Sequence, residues 1–216
     1  MRALELFSGT KSIGKSLQKL GCWEVVSLDF CDKFQPTICK NIMHWDYTCF
    51  PPGHFDFIWA SPDCTEYSVA KTTGVRDLQK ADDLVLKTLS ILSYYRPLYY
   101  AIENPATGLL KTRGILDDWP WKDVTYCSYG TEYRKHTRIW TNLGNYWAPR
   151  PLCTRKCASC ISNGGVHGAS AQKGPSGGND KTTDNFTRDQ LYKIPEPLCD
   201  ELAAAVTAGV RALRDF

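Results

Sequence analysis

Residues 3–14, Ala3-Leu4-Glu5-Leu6-Phe7-Ser8-Gly9-Thr10-Lys11-Ser12-Ile13-Gly14, decide how the rest of the chain is read. The apolar run at 3–7 predicts a short strand. Gly9 marks a turn, and Ile13, Leu17 and Leu20 then recur at helical spacing. Strand, glycine turn and helix in that order open a nucleotide-binding β-α-β unit. Gly21 ends the helix, and residues 23–30 predict a second strand closing on Asp29. That acid lies about twenty residues beyond the glycine turn, where such units place the carboxylate that holds ribose hydroxyls.

Working outward, residues 41–47 predict a strand with Asp46 at its end. Residues 55–60 predict a fourth strand, which stops at Ser61-Pro62-Asp63-Cys64. A helix follows over 78–95, with Leu84, Leu89 and Leu92 among its apolar positions and Pro97 closing it. Residues 98–102 predict a fifth strand running into Glu103-Asn104-Pro105, and 124–129 with 137–141 a late strand pair around Gly130. From 142 to 185 Gly, Ser, Pro, Lys and Cys displace any periodicity. Leu198, Leu202, Val206, Val210 and Leu213 then restore helical spacing after Ile194-Pro195-Glu196-Pro197. Alternating strands and helices predict an α/β fold with a doubly wound, mostly parallel sheet, whose ligands gather at the carboxyl ends of the strands. Gly9, Asp29, Asp46, Cys64 and Glu103 all fall at such ends.

Composition bounds the function classes. With 43% hydrophobic and 23% charged residues the chain is neither disordered nor built for a membrane. Its 216 residues suit one α/β domain with a modest insertion. Arg2 and Glu5 interrupt the N-terminal apolar stretch, so no signal peptide is expected and an intracellular site, cytoplasm or nucleus, is. The ten cysteines are then expected reduced. Cys153, Cys157 and Cys160 cluster as C-x3-C-x2-C, with His167 following in a loop containing Gly and Ser. This is the donor set of a tetrahedral Cys3His zinc site, in which metal replaces the core that a loop cannot build. The scattered cysteines, Cys127 among them, read as small buried or semi-buried residues. The net charge of +3 permits a nucleic-acid partner without demanding one. Lys111, Arg113, Arg134, Lys135, Arg138 and Arg150 interleave with Tyr129, Tyr133, Trp140 and Trp147, which fits phosphates and bases, or equally a solvated face over core aromatics.

The order Leu6-Phe7-Ser8-Gly9, Asp29, Asp46, Pro62-Asp63-Cys64, Glu103-Asn104-Pro105 and Arg138 resembles the cytosine carbon-5 DNA methyltransferase family across residues 3–142. The resemblance implies a Rossmann-like fold that binds S-adenosylmethionine and acts on nucleic acid, DNA ahead of RNA. Phe7 would pack on the adenine, Ser8, Gly9 and Thr10 approach the methionine part, Asp29 bind the ribose and Asp46 the adenine amino group, with Phe30 stacking on the other adenine face. Lys11 and Ser12 stand where glycines are more usual. It also implies a nucleophilic Cys64, a Glu103 that holds cytosine N3, an Asn104 that orients it and an Arg138 on the base carbonyl. Ser68, Arg134 and His136 would contact the nucleic acid. Asp63 departs from the usual proline, and a carboxylate beside the nucleophile raises its pKa.

The chain accordingly divides into a catalytic domain (1–142), a zinc-bound recognition insertion (143–190) and a C-terminal helix (191–216) packing back on the first. Oligomeric state stays open. Two other readings stand beside this one: an amino-group DNA or RNA methyltransferase, because Ser61-Pro62-Asp63-Cys64 partly resembles that class's strand-end element, and an inactive zinc-bearing nucleic-acid binder.

Overall fold

The computed structural model describes residues 1–69, 71–169 and 187–214, except for the side chain of Arg188. Residues 170–186, the later part of the expected loop-rich segment, lie outside the described residues. The elements run β1 (Arg2–Leu6), α1 (Ser12–Lys19), β2 (Glu24–Asp29), β3 (Ile38–Cys39), β4 (Phe57–Ala60), α2 (Leu78–Tyr95), β5 (Tyr99–Pro105), β6 (Trp121–Thr125), β7 (His136–Thr141), α3 (Ala158–Ser162), α4 (Arg188–Tyr192) and α5 (Glu196–Arg214). The strands form a seven-stranded sheet in the order β3-β2-β1-β4-β5-β7-β6. Strands β3 to β5 are parallel, and β7 runs antiparallel between β5 and β6. The predicted doubly wound, mostly parallel sheet is therefore present.

Strand parity sorts the core into two layers, because successive side chains point to opposite faces. Ala3, Phe57, Trp59, Ala101 and Ile139 face α1 and α5, which add Ile13, Leu17, Leu198, Leu202 and Val206. Leu4, Leu6, Ile58, Ala60, Ile102 and Trp140 face α2, which adds Val85, Ile91 and Tyr95. The C-terminal helix is pinned to the body by Trp23 Nε1 donating to Thr207 Oγ1 at 2.8 Å and by Arg214 on Asp56 at 2.6 Å.

Two local expectations change. Residues 41–47 form no strand: Asn41 Oδ1 accepts from Met43 N and Asp46 Oδ1 from Thr48 N, each starting a 3-10 turn. Short polar side chains that bond the backbone two residues on compete with a ladder, and here they win. The late pair also begins earlier, at Trp121, so that 126–129 is a 3-10 turn rather than strand.

The turn after β1 is held by carboxylates on both sides. Glu5, 3% exposed, accepts from Ile13 N at 3.1 Å and Gly14 N at 3.2 Å, at the start of α1. Only glycine fits at 14, since a Cβ there would lie 2.5 Å from Glu5 Oε2. Burial pushes Glu5 up to about 7, outweighing the two N–H donors and the charges of Lys11 and Lys15. The folded state therefore binds a proton more readily than the unfolded chain. Stability should be greatest below pH 4.5 for this group and fall as pH rises toward 7, by up to about 3 kcal/mol. Urea titrations across that window should show this slope, and Glu5→Gln should flatten it; an unaltered slope would refute the assignment.

Candidate active site and cysteine cluster

The first strand end builds a cradle. Phe7 takes φ 55° and Gly9 φ 43°, so the chain reverses sharply after β1, and the left-handed Phe7 is backbone strain concentrated at a site. Asp29, 8% exposed, holds the neighbouring loops together: its Oδ2 accepts from Gly9 N at 2.8 Å and its Oδ1 from Cys31 N at 2.9 Å. Ser8 Oγ is buried with no hydrogen-bond partner among the described residues, and nothing within 4 Å would meet a Cβ on Gly9. Thr10 Oγ1 shares a hydrogen bond with Ser12 Oγ at 2.9 Å. Phe30 is 76% exposed, an aromatic ring left out of the core directly after Asp29. Asp46 is exposed; its hydrogen bonds from Thr48 hold its carboxyl below the usual range, so it is a standing anion. An unpartnered buried hydroxyl, open space over a glycine and two carboxylates are what a bound nucleoside with a polar tail requires.

Cys64 lies beyond β4 in a loop tied from several sides. Asn104 Nδ2 donates to Pro62 O at 3.0 Å, so this asparagine fixes the loop that carries Cys64. Tyr67, fully buried, donates to Asp82 Oδ1 at 2.8 Å, and Arg113 closes on the same carboxylate. Asp63 is exposed and turned into its own loop, Oδ1 accepting from Thr65 N at 3.0 Å and Thr65 Oγ1 at 2.6 Å. The Cys64 thiol is half-buried, and burial pushes it up to about 11; Lys135 pulls it down, while Glu103 and Asp63 push it further up. Ser68 is half-buried in the same loop.

Glu103, 6% exposed at the end of β5, receives two groups on one oxygen. Tyr126 OH donates to its Oε1 at 3.0 Å, and Lys135 Nζ stands 3.6 Å from the same atom. Lys135 also lies over the Tyr126 ring at 4.9 Å.

Arg138 is turned away from Glu103. It is registered opposite Asn104, whereas Glu103 is opposite Ile139. Its guanidinium therefore leaves by the α2 face, makes two bonds to Asp123 at 2.8 and 3.0 Å and stacks on Trp121 at 3.5 Å. His136, two residues earlier, follows it to Asp123, 3.2 Å away. A shift of one residue in a strand reverses the face, and the cation that reaches Glu103 and Cys64 is Lys135. Counting alternate positions back from the residue paired with Glu103 could have found it. Arg134 is exposed. Tyr129, Tyr133, Trp140 and Trp147 are buried, so these rings serve the core rather than a stacking surface.

The cysteine cluster differs by one residue from the expectation. Cys127, Cys153, Cys157 and His167 present ligand atoms all within 4.8 Å of one another. Cys153 Sγ lies 3.6 Å from His167 Nε2. Burial pushes the Cys153 thiol up, but the His167 ring and the Arg155 N–H outweigh it, leaving the thiol below its usual value. Cys160 is buried on α3, its thiol beside Cys157 and Cys153 without joining the four-membered set. Cys127, which composition alone assigned to packing, belongs to the turn after β6 and joins the cluster through the fold.

Solved structures share this architecture. A protein described as a DNA modification methyltransferase from an E. coli prophage matches with a TM-score of 0.52 at 15% identity, over 71% of this chain and 52% of its own. An Entamoeba histolytica methyltransferase, EhMeth, matches with a TM-score of 0.52 at 17% identity, over 76% and 59%. The chain thus spans little more than half the length of either, and the fold is one that methyltransferases use. No family model matches the chain. A frog virus 3 (isolate Goorha) protein named a "probable DNA (cytosine-5)-methyltransferase" is 33% identical over 160 residues, 68% of this chain and 72% of that one. The chain belongs to the DNA (cytosine-5)-methyltransferase family.

The charges around Cys64 make a measurable pattern. At pH 8, Asp63→Asn should raise the alkylation rate of Cys64 and Lys135→Gln lower it, each by roughly two- to tenfold, because the thiolate is the reacting form. Peptide mass spectrometry follows this thiol apart from the others; equal rates in all three proteins would sink the electrostatic assignment.

Proposed function

We propose that this chain transfers a methyl group from S-adenosylmethionine to carbon 5 of cytosine in DNA, through a covalent bond to Cys64. The observation that carries this reading is the convergence of Cys64, Glu103 and Lys135 at neighbouring strand ends, next to the cradle of Ser8, Gly9 and Asp29.

Carbon 5 of cytosine is a poor nucleophile. The Cys64 thiolate adds to carbon 6, forming the Sγ–C6 bond and moving an electron pair toward carbon 5 and the ring nitrogen. Glu103 holds a proton at N3, which draws that charge, and Lys135 stabilises both the thiolate and the carboxylate. S-adenosylmethionine, when bound, supplies an electrophilic methyl on a sulfonium. Carbon 5 would take the methyl, the cofactor sulfur keeping the pair of the broken bond as a neutral thioether; water would then accept the carbon-5 proton, and that C–H pair would re-form the C5–C6 double bond as Cys64 leaves as a thiolate. In this reading Asp29 accepts from the ribose hydroxyls and Asp46 from the adenine amino group, with Ser8 toward the methionine part and Phe30 against the adenine. Since carbon 6 is hidden in a stacked duplex, the base must be extruded or offered single-stranded. The exposed Arg134 and the half-buried Ser68 of the Cys64 loop are the expected phosphate contacts. Among the described residues no helix is long and apolar enough to cross a membrane.

Three thiols and one imidazole within reach of one atom fit zinc, which takes four such ligands tetrahedrally. We assign a structural zinc ion to Cys127, Cys153, Cys157 and His167. Elemental analysis of protein purified under reducing conditions should find about one zinc per chain and much less in Cys157→Ser; undiminished zinc in that variant would remove Cys157 from the set.

A DNA oligonucleotide carrying 5-fluorocytosine tests the chemistry, because fluorine cannot leave carbon 5 as a proton does. With cofactor present, the wild-type protein should form an adduct that survives denaturing electrophoresis, and Cys64→Ser should form none. Methyl transfer retained in Cys64→Ser would favour an amino-group acceptor, and DNA binding without any transfer would favour an inactive binder.

A further inference from the structure

The turn Tyr126–Tyr129 lies between the cysteine cluster and the catalytic carboxyl. Tyr126 is fully buried, and its hydroxyl is the only phenol on Glu103 among the described residues. The next residue, Cys127, sends its thiol into the cluster with Cys153, Cys157 and His167. In a four-residue 3-10 turn two consecutive side chains leave about 120° apart, so one short piece of backbone can serve both sites.

The turn is fastened to each side by further bonds. Toward the active site, Tyr126 N donates to Lys135 O at 3.0 Å, which also locates the lysine that faces Glu103. Toward the cluster, Cys153 N donates to Thr125 Oγ1 at 2.9 Å, Ser128 Oγ to Pro151 O at 3.0 Å and Arg150 N to Tyr129 OH at 2.9 Å. Tyr126 does not touch the reacting atoms of the substrate. Its phenol instead restricts where Glu103 Oε1 can sit, and the backbone that carries the phenol is restrained one residue later by Cys127.

We propose that the metal centre positions the catalytic carboxyl: ligation of Cys127 fixes the turn, the turn fixes Tyr126, and Tyr126 sets the orientation of Glu103. This rests on the methyltransferase reading and on the zinc assignment, and it adds a role that stapling alone lacks. A metal that only closes the Cys153–His167 loop needs no ligand from the turn after β6. Taking one from there links the cluster to the end of the sheet where the chemistry occurs.

The test combines metal content with steady-state kinetics on a cytosine-containing duplex. Tyr126→Phe keeps the ring beneath Lys135 and removes one hydrogen bond to a carboxylate. It should lower kcat about 10- to 100-fold while leaving zinc content and both KM values near wild type. Cys127→Ser should lose zinc and show the same kcat loss, and Cys127→His, which still offers a ligand, should recover both. In the Tyr126→Phe background, Cys127→Ser should cost little further kcat, because both act through one path. Zinc loss with wild-type kcat, or independent multiplicative losses, would overturn the proposal while leaving the zinc assignment intact. Wild-type protein with full adduct formation but no zinc would overturn the metal centre and this role together, and absence of any adduct would overturn the methyltransferase reading instead.

Discussion

The pairing of β7 against β5 is the constraint on which the rest of the site depends. With Ile139 opposite Glu103, the odd-numbered residues of that ribbon share the carboxyl's face and the even-numbered ones are sent to the other. One register therefore gives Lys135 to Glu103 and Cys64, and gives Arg138 and His136 to Asp123. The core enforces it: Ile139 is buried in the layer under α1 and α5 and Trp140 in the layer under α2. A slip by one residue would exchange these side chains between layers and place Arg138 where an apolar side chain packs, so the register is specified by packing well before any ligand arrives.

That constraint also explains what could be read from the chain alone. The strand-turn-helix opening, Asp29 at the end of β2, helix 78–95 and the C-terminal helix follow from periodicity and punctuation, which are local properties. Glu103 and Cys64 follow from lying at strand ends. Arg138 lies opposite Asn104 rather than Glu103, a matter of strand parity that residue type alone does not convey. Cys127 escaped because its partners are brought to it by the turn after β6, a contact between distant stretches that spacing does not encode. The strand expected over 41–47 failed for the opposite reason, since local bonds from Asn41 and Asp46 outcompeted an edge ladder.

The site divides its polar groups between two tasks. Asp29, Asn104 and Tyr126 spend at least one hydrogen bond each on protein: two loop amides, the Pro62 carbonyl and the Glu103 carboxyl. Ser8 Oγ and Asn104 Oδ1 are buried with none among the described residues. Buried polar atoms left without partners are costly; these two lie at the end of β1 and beside the Cys64 loop, while others, such as Trp147 Nε1, lie elsewhere. The frame is thus held by bonds internal to the chain.

Cys64 is held with its proton on. A half-buried sulfur pushed up to about 11 exists overwhelmingly as the neutral thiol at physiological pH. Peroxides and electrophiles attack the thiolate, so the burial that raises the Cys64 thiol also slows its oxidation. The same desolvation that defers ionisation of this thiol thereby also prolongs its life in the reduced form.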